Sequence, residues 1–151
     1  MSQLDVIGWR EWVYLPRFSE SPPLKTKVDT GARSSALDAT QIELVELPST
    51  APETQYTVKF RLQFKRQRDT HFKDCELPAV LTKIVRSSSG EEQIRPFVEI
   101  PIQLGTHSWI VQASLTDRSN MVNRMLLGRR ALERRFLVDS NRKFVFGQPA
   151  K

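Results

Sequence analysis

The chain is poor in the residues from which most metal and thiol chemistry is built. It has one cysteine and two histidines among 151 residues, which excludes an internal disulfide framework and is compatible with a reducing compartment. Cys75, His71 and His107 stand at spacings that match no common zinc pattern. His-Glu-x-x-His, paired Cys-x-x-Cys and a Gly-rich phosphate loop ending in Lys-Ser or Lys-Thr are all missing. No cofactor is expected on these motifs, and the histidines read as exposed or satisfied side chains. No apolar run approaches the length of a membrane span, and Met1-Ser2-Gln3-Leu4-Asp5 shows no basic segment leading into an apolar one. These absences point to a cytoplasmic protein with no membrane partner. Internal repeats and low-complexity tracts are absent too.

What remains suffices for one domain. At 151 residues and 39% hydrophobic content the chain can bury a modest core, and residues 1–151 are read as a single unit. Lysine and arginine outnumber aspartate and glutamate by 23 to 17, a net charge of +6. Arg61, Lys65, Arg66 and Arg68 form one basic group, and Arg129, Arg130, Arg134 and Arg135 another. Around the first, Tyr56, Val58, Phe60, Leu62 and Phe64 alternate with Thr57, Lys59, Arg61, Gln63 and Lys65, the period-two pattern of a half-buried strand with a charged, solvated face. No aromatic residues interleave with those charges as on a single-strand binding platform, which argues against a nucleic-acid partner. The excess positive charge suits acidic partners, an acidic peptide among them.

Short apolar runs separated by turn signals follow one another along the chain. Leu4 to Trp9 and Glu11 to Leu15 read as an opening hairpin-like pair, and Leu24 to Val28 as a strand entering a turn. Thr40 to Leu47 and Tyr56 to Phe64 are strands on either side of the loop Pro48-Ser49-Thr50-Ala51-Pro52. Leu81 to Arg86 and Gln93 to Glu99 flank the polar tip Ser87 to Glu92, and Ile100 to Leu104 and Trp109 to Leu115 flank Gly105. Arg129 to Arg135 is the one helical stretch. The pattern predicts an all-β domain closed into a barrel, with one short helix near the C-terminus.

Asp29-Thr30-Gly31-Ala32 carries the chemistry. A strand ending in Asp-Thr-Gly puts a carboxylate on a tight turn, and the glycine lacks the Cβ that would hold a substrate backbone away. An aspartic peptidase is built this way, although Asp-Thr-Gly is also an ordinary turn sequence. Hydrolysis by carboxylates needs two of them, one to take a proton from water and one to donate to the carbonyl oxygen. Asp38, Asp117 and Asp139 lack the following Thr-Gly and read as turn or capping residues. The second carboxylate is therefore expected from Asp29 of another copy across a two-fold axis, which makes a homodimer a condition of catalysis.

Ile7-Gly8-Trp9-Arg10-Glu11-Trp12, the block from Lys27 to Leu37, and Met125-Leu126-Leu127-Gly128-Arg129 with Phe136-Leu137-Val138-Asp139 together resemble a known family. It is the retropepsin-like aspartic peptidase family of bacteria and archaea, often labelled ATP-dependent zinc proteases. The resemblance covers nearly the whole chain. It implies a barrel of the retropepsin-like acid protease type and an endopeptidase, with Asp29 catalytic; the chemistry of two carboxylates requires no metal, and the residues offer the zinc and ATP of the label no obvious seat. It also implies that Leu126, Leu127, Gly128 and Arg129 support the catalytic turn from beneath. Thr30 would lock the turns of two copies through hydroxyl-to-backbone bonds, and Gly31 would let the substrate backbone approach. The Leu81 to Glu99 hairpin would be a flap whose tip, with Ser88, Ser89 and Gly90, closes over substrate; an exposed hairpin is the plainer reading of the same residues. Ala32 offers the carboxylate no hydroxyl, which points to work nearer neutral pH.

The chain departs from viral retropepsins after Asp-Thr-Gly-Ala, where Arg33-Ser34-Ser35 replace acidic residues. Arg129 is then left with no obvious partner. Arg33 is placed to meet an acidic substrate, such as a glutamate-rich tail, because some members of the family are associated with glutamate ligases; a salt bridge within the fold is the other reading. The alternative function is a non-catalytic module that keeps the fold and binds peptides or an acidic partner, with Asp29 a turn residue.

Overall fold

A computed structural model describes residues 4–48, 55–86 and 88–147. The first two strands, β1 (Asp5–Gly8) and β2 (Arg10–Val13), do not pair with each other as the sequence suggested. Strand β2 runs antiparallel to β3 (Leu24–Val28), whereas β1 lies parallel to the last strand, β12 (Phe136–Asp139). The cause is local. A Cβ on Gly8 would sit 2.3 Å from the Arg142 carbonyl oxygen, so the chain crosses the C-terminal segment at closest range there. The fully buried Glu11 carboxylate then accepts from the backbone N–H groups of Gly8 (2.7 Å), Val145 (3.1 Å) and Phe146 (3.4 Å). A buried charge needs such donors, and here they hold both ends of the chain together.

The main sheet has seven strands in the order β2-β3-β11-β4-β10-β9-β8. Within it, β4 is Ser35–Asp38, β8 Leu81–Arg86, β9 Glu92–Leu104, β10 His107–Thr116 and β11 Met125–Leu127. A separate three-stranded sheet is formed by β5 (Thr40–Leu47), β6 (Gln55–Arg66) and β7 (Asp69–Pro78). Residues 49–54, which include all of the proposed Pro48 to Pro52 loop after Pro48, lie outside the described residues.

The expected all-β character holds, but among the described residues no sheet closes into a barrel. Closure requires an unbroken, staggered ladder from the first strand to the last. Here β2 and β8 stand at opposite edges, and Tyr14, just after β2, meets Gln103 of β9 in a single isolated bridge rather than a ladder. The terminal strands are diverted into their own two-stranded sheet and β5 to β7 into another, so nothing remains to seal the seam.

Strand β9 is one continuous element where the sequence suggested two. Its first half pairs with β8 and its second half with β10, and Phe97 faces Leu81 on one side and Ser114 on the other. The helix is shorter than expected: α1 spans Arg129–Leu132, because Glu133 turns extended and Arg134 takes a positive φ of 64°. The core between the sheets is built from the inward faces of these strands, with Ile7, Val13, Leu37, Val58, Ile100, Ile102, Leu115, Met125 and Leu127 almost entirely removed from water. Val58, Phe60 and Leu62 are buried as their alternation requires, while Lys59 is exposed.

Candidate active site

Strand β3 delivers Asp29. Thr26 and Val28 point inward and Lys25 and Lys27 outward, so the alternation ends with a buried valine anchoring the residue before the turn. Asp29 N–H donates to the Leu127 carbonyl at 2.9 Å. Its side chain is half-buried, and Oδ1 accepts from Gly31 N–H at 2.9 Å and Ala32 N–H at 3.2 Å. Two backbone donors on one carboxylate oxygen fix the group's orientation. Thr30 and Gly31, at the crest of the turn, are exposed.

Strand β11 passes directly beneath. It is parallel to β3 on one side and antiparallel to β4 on the other, so three short strands lock the turn between chain segments nearly a hundred residues apart. Leu127 is fully buried and Leu126 half-buried. Gly128 N–H donates to Ser35 Oγ at 3.0 Å, and Ser114 Oγ donates to the Ser35 carbonyl at 3.3 Å. Arg129 N–H donates to the Ala32 carbonyl at 2.6 Å, and Arg130 N–H to that of Arg33 at 3.2 Å. Residues 126–129 therefore meet the turn through the backbone. A Cβ on Gly128 would lie 2.5 Å from the Ser34 carbonyl oxygen and 2.9 Å from that of Ala32. Both neighbours are backbone atoms and cannot swing away. Gly128→Ala is expected to destabilise the fold by about 3 kcal/mol, the upper range for overpacking, and to displace the turn; urea unfolding measures the first effect.

The sequence model of the RimB-like family, described as retropepsin-like aspartic endopeptidase RimB, matches residues 6–149. This chain belongs to that family. Curated relatives named probable alpha-L-glutamate ligase occur in Shewanella halifaxensis (35% identical over 95% of this chain) and Desulfotalea psychrophila (28% over 97%). The chain spans 30% of the length of either relative. The crystal structure of a Legionella pneumophila protein of unknown function superposes with a TM-score of 0.70 at 23% identity, covering 95% of this chain and 99% of that one; it shares the fold.

Not every expected site residue joins the turn of this RimB-like protein. Ser88, Ser89 and Gly90 lie at the exposed tip between β8 and β9, on the outermost strand pair of the main sheet. Ser87 lies outside the described residues. The tip's base is closed by an Arg86–Glu92 ion pair of 2.6 Å, and Gly90 has φ +87°, a conformation that favours glycine. The Arg33 side chain is exposed beside the turn. Arg129, left without a partner by the sequence, makes a loose surface contact of 4.0 Å with Glu133.

Among the described residues no group of three His, Cys, Asp or Glu side chains converges. His107 Nε2 lies 2.7 Å from Asp5 Oδ2 and its ring packs on Phe136; His71 stacks on Phe64. Burial pushes the Cys75 thiol up to about 11. A raised thiol keeps its proton at neutral pH and is a poor nucleophile. Alkylation of Cys75 at pH 8 is expected to run about a hundredfold slower in the folded protein than in urea, the ratio of thiolate fractions, as a mass-spectrometric time course would show.

The other aspartates have separate duties. Asp117 accepts from the hydroxyl and backbone N–H of Ser119, which lower its pKa, and Asp139 accepts from Asn141 N–H. Asp38 is different: its carboxylate is buried, pairs with Arg124 and accepts from Arg118 N–H. It ties the end of β4 to the loop entering β11. The only sequence sign of this role was an aspartate at the end of an apolar run.

Proposed function

We propose that this chain is an aspartic endopeptidase that works as a cytoplasmic homodimer on acidic, glutamate-rich peptide or protein substrates. The observation that carries the reading is the turn itself: Asp29 is oriented by two backbone donors at an uncovered crest, at the end of β3 where β11 runs between β3 and β4. The exposed Thr30 and Gly31 leave room for a second copy to approach. Two Asp29 carboxylates facing each other share one proton and titrate as a pair. The ionised member takes a proton from a bound water as it attacks the scissile carbonyl, and the protonated member donates to the carbonyl oxygen; the roles reverse at the leaving nitrogen. The β8–β9 tip closes over the substrate in this scheme.

The substrate class draws on two supports. Relatives that contain a segment similar to this chain are named probable alpha-L-glutamate ligase, and an exposed guanidinium, Arg33, stands beside the catalytic turn. The expected result is cleavage of an acidic peptide whose rate per subunit falls on dilution, as dimers dissociate. Arg33→Ala should lower kcat/KM for the acidic peptide about tenfold, the loss of one charge-assisted hydrogen bond, and leave a neutral peptide unaffected. A rate per subunit independent of concentration, with a monomeric mass, would remove the shared dyad.

A further inference from the structure

Behind the catalytic turn lies a cleft of about 260 Å³ between α1 and β10. Ser34 and Ser35 form its near wall, α1 and the turn after it contribute Arg130 and Arg135, and Trp109 and Gln112 come from β10. Arg135 holds its guanidinium 5.1 Å above the Trp109 ring, an arrangement that steadies the cation while leaving its edge N–H groups for an acceptor. Among the described residues no carboxylate pairs with Arg130 or Arg135, although ion pairs engage Arg61, Lys73, Arg86, Arg124 and Arg129. Trp109, which lines the cleft, adds an independent sign: among the described residues its indole Nε1, buried in the cleft wall, has no hydrogen-bond partner, so an acceptor that enters by a small shift of the ring would satisfy it.

We propose that this cleft is an exosite for glutamyl residues of the substrate, separate from the scissile bond. Two guanidiniums suit carboxylates, which they bind in forked pairs. The apolar flanks supplied by Phe97 and Val111 suit the methylenes of a glutamate stem. The volume lies below the usual range for drug-sized ligands and matches one or two residues of a peptide. Continuity with the turn comes from the backbone, since Arg130 N–H is bonded to the Arg33 carbonyl. Arg33, Arg130 and Arg135 thus form one cationic track leading away from Asp29. The choice of glutamate as ligand rests on the proposed function; the cationic cleft does not.

The test uses full-length Asp29→Asn protein, which leaves the peptide intact, titrated with tetraglutamate and tetraglutamine by calorimetry and by the Trp109 indole resonance. Arg130→Gln/Arg135→Gln is expected to weaken tetraglutamate binding at least tenfold, leave tetraglutamine unchanged and abolish the indole shift. Lys65→Gln/Arg68→Gln removes the same charge from exposed positions on the β6–β7 hairpin and is expected to change binding less than twofold. Equal weakening by both pairs, or undiminished binding in the cleft variant, overturns the exosite. Thermal unfolding of each variant confirms that the fold is retained, since all four side chains are exposed. Separately, loss of cleavage on Asp29→Asn with no effect of the cleft variant would leave the peptidase standing and the exosite refuted. Tetraglutamate seated in the cleft of a wild type that hydrolyses nothing would do the reverse.

Discussion

Asp29→Asn is expected to lower peptide hydrolysis about a thousandfold or more, the scale of losing positioned acid-base catalysis, while the fold survives. Asparagine keeps an Oδ1 that can accept from Gly31 and Ala32 N–H as the carboxylate does, so the turn keeps its shape. What it loses is the ability to carry or share a proton: the variant homodimer presents two amides and no base to activate water, and a mixed pair keeps one carboxylate but has no acid beside it to protonate the carbonyl oxygen. Mixing equal amounts of wild type and variant gives a sharper result. If subunits exchange at random, half of the wild-type chains end in mixed pairs, and activity per wild-type chain falls to about half. A monomeric enzyme would show no such effect. Equal hydrolysis by wild type and Asp29→Asn would instead favour a binding module in which Asp29 only shapes a turn.

Asp38→Ala is expected to cost about 3–5 kcal/mol, the range for removing one partner of a buried ion pair. On a domain of this size that lowers Tm by on the order of 10 °C. The side chain of Asp38 is 3% exposed and that of Arg124 28%, so deleting the carboxylate strands a partly buried guanidinium and the N–H of Arg118. Arg124→Ala is expected to cost less, because Asp38 keeps the Arg118 N–H. The double variant should be less destabilised than the sum of the two, and a double-mutant cycle by denaturant unfolding measures the coupling. The effect should reach the Asp29 turn: Asp38 N–H also bonds to the Arg124 carbonyl, and slack there loosens β4, whose other end holds Ser35 under Gly128.

Much of this was legible in one dimension. Strands β3, β5 and β8 appeared within their observed bounds because their apolar spacing and flanking turn residues are local signals. Strand β7 was missed. Its residues are mostly exposed and its apolar positions few, and it exists because ten successive positions pair with β6, a neighbour no propensity names. Strand β4 was hidden for a related reason: four residues form a strand there only because β10 and β11 flank them. The opening hairpin was a reasonable inference from two adjacent apolar runs, and it failed because Gly8 and Glu11 commit those runs to the distant residues 142–146.

The all-β character of the chain and its family follow from residue order, since Asp29-Thr30-Gly31 and Leu126-Leu127-Gly128 are short motifs whose chemistry is set by residue type. Tertiary structure alone decided that the sheets stay open, that Asp38 is a buried anchor and that Arg130 and Arg135 share a cleft with Trp109. These depend on contacts between residues tens of positions apart. A turn is encoded by its own residues, whereas a pairing partner or a cavity wall is chosen by packing and by the need to satisfy buried charges.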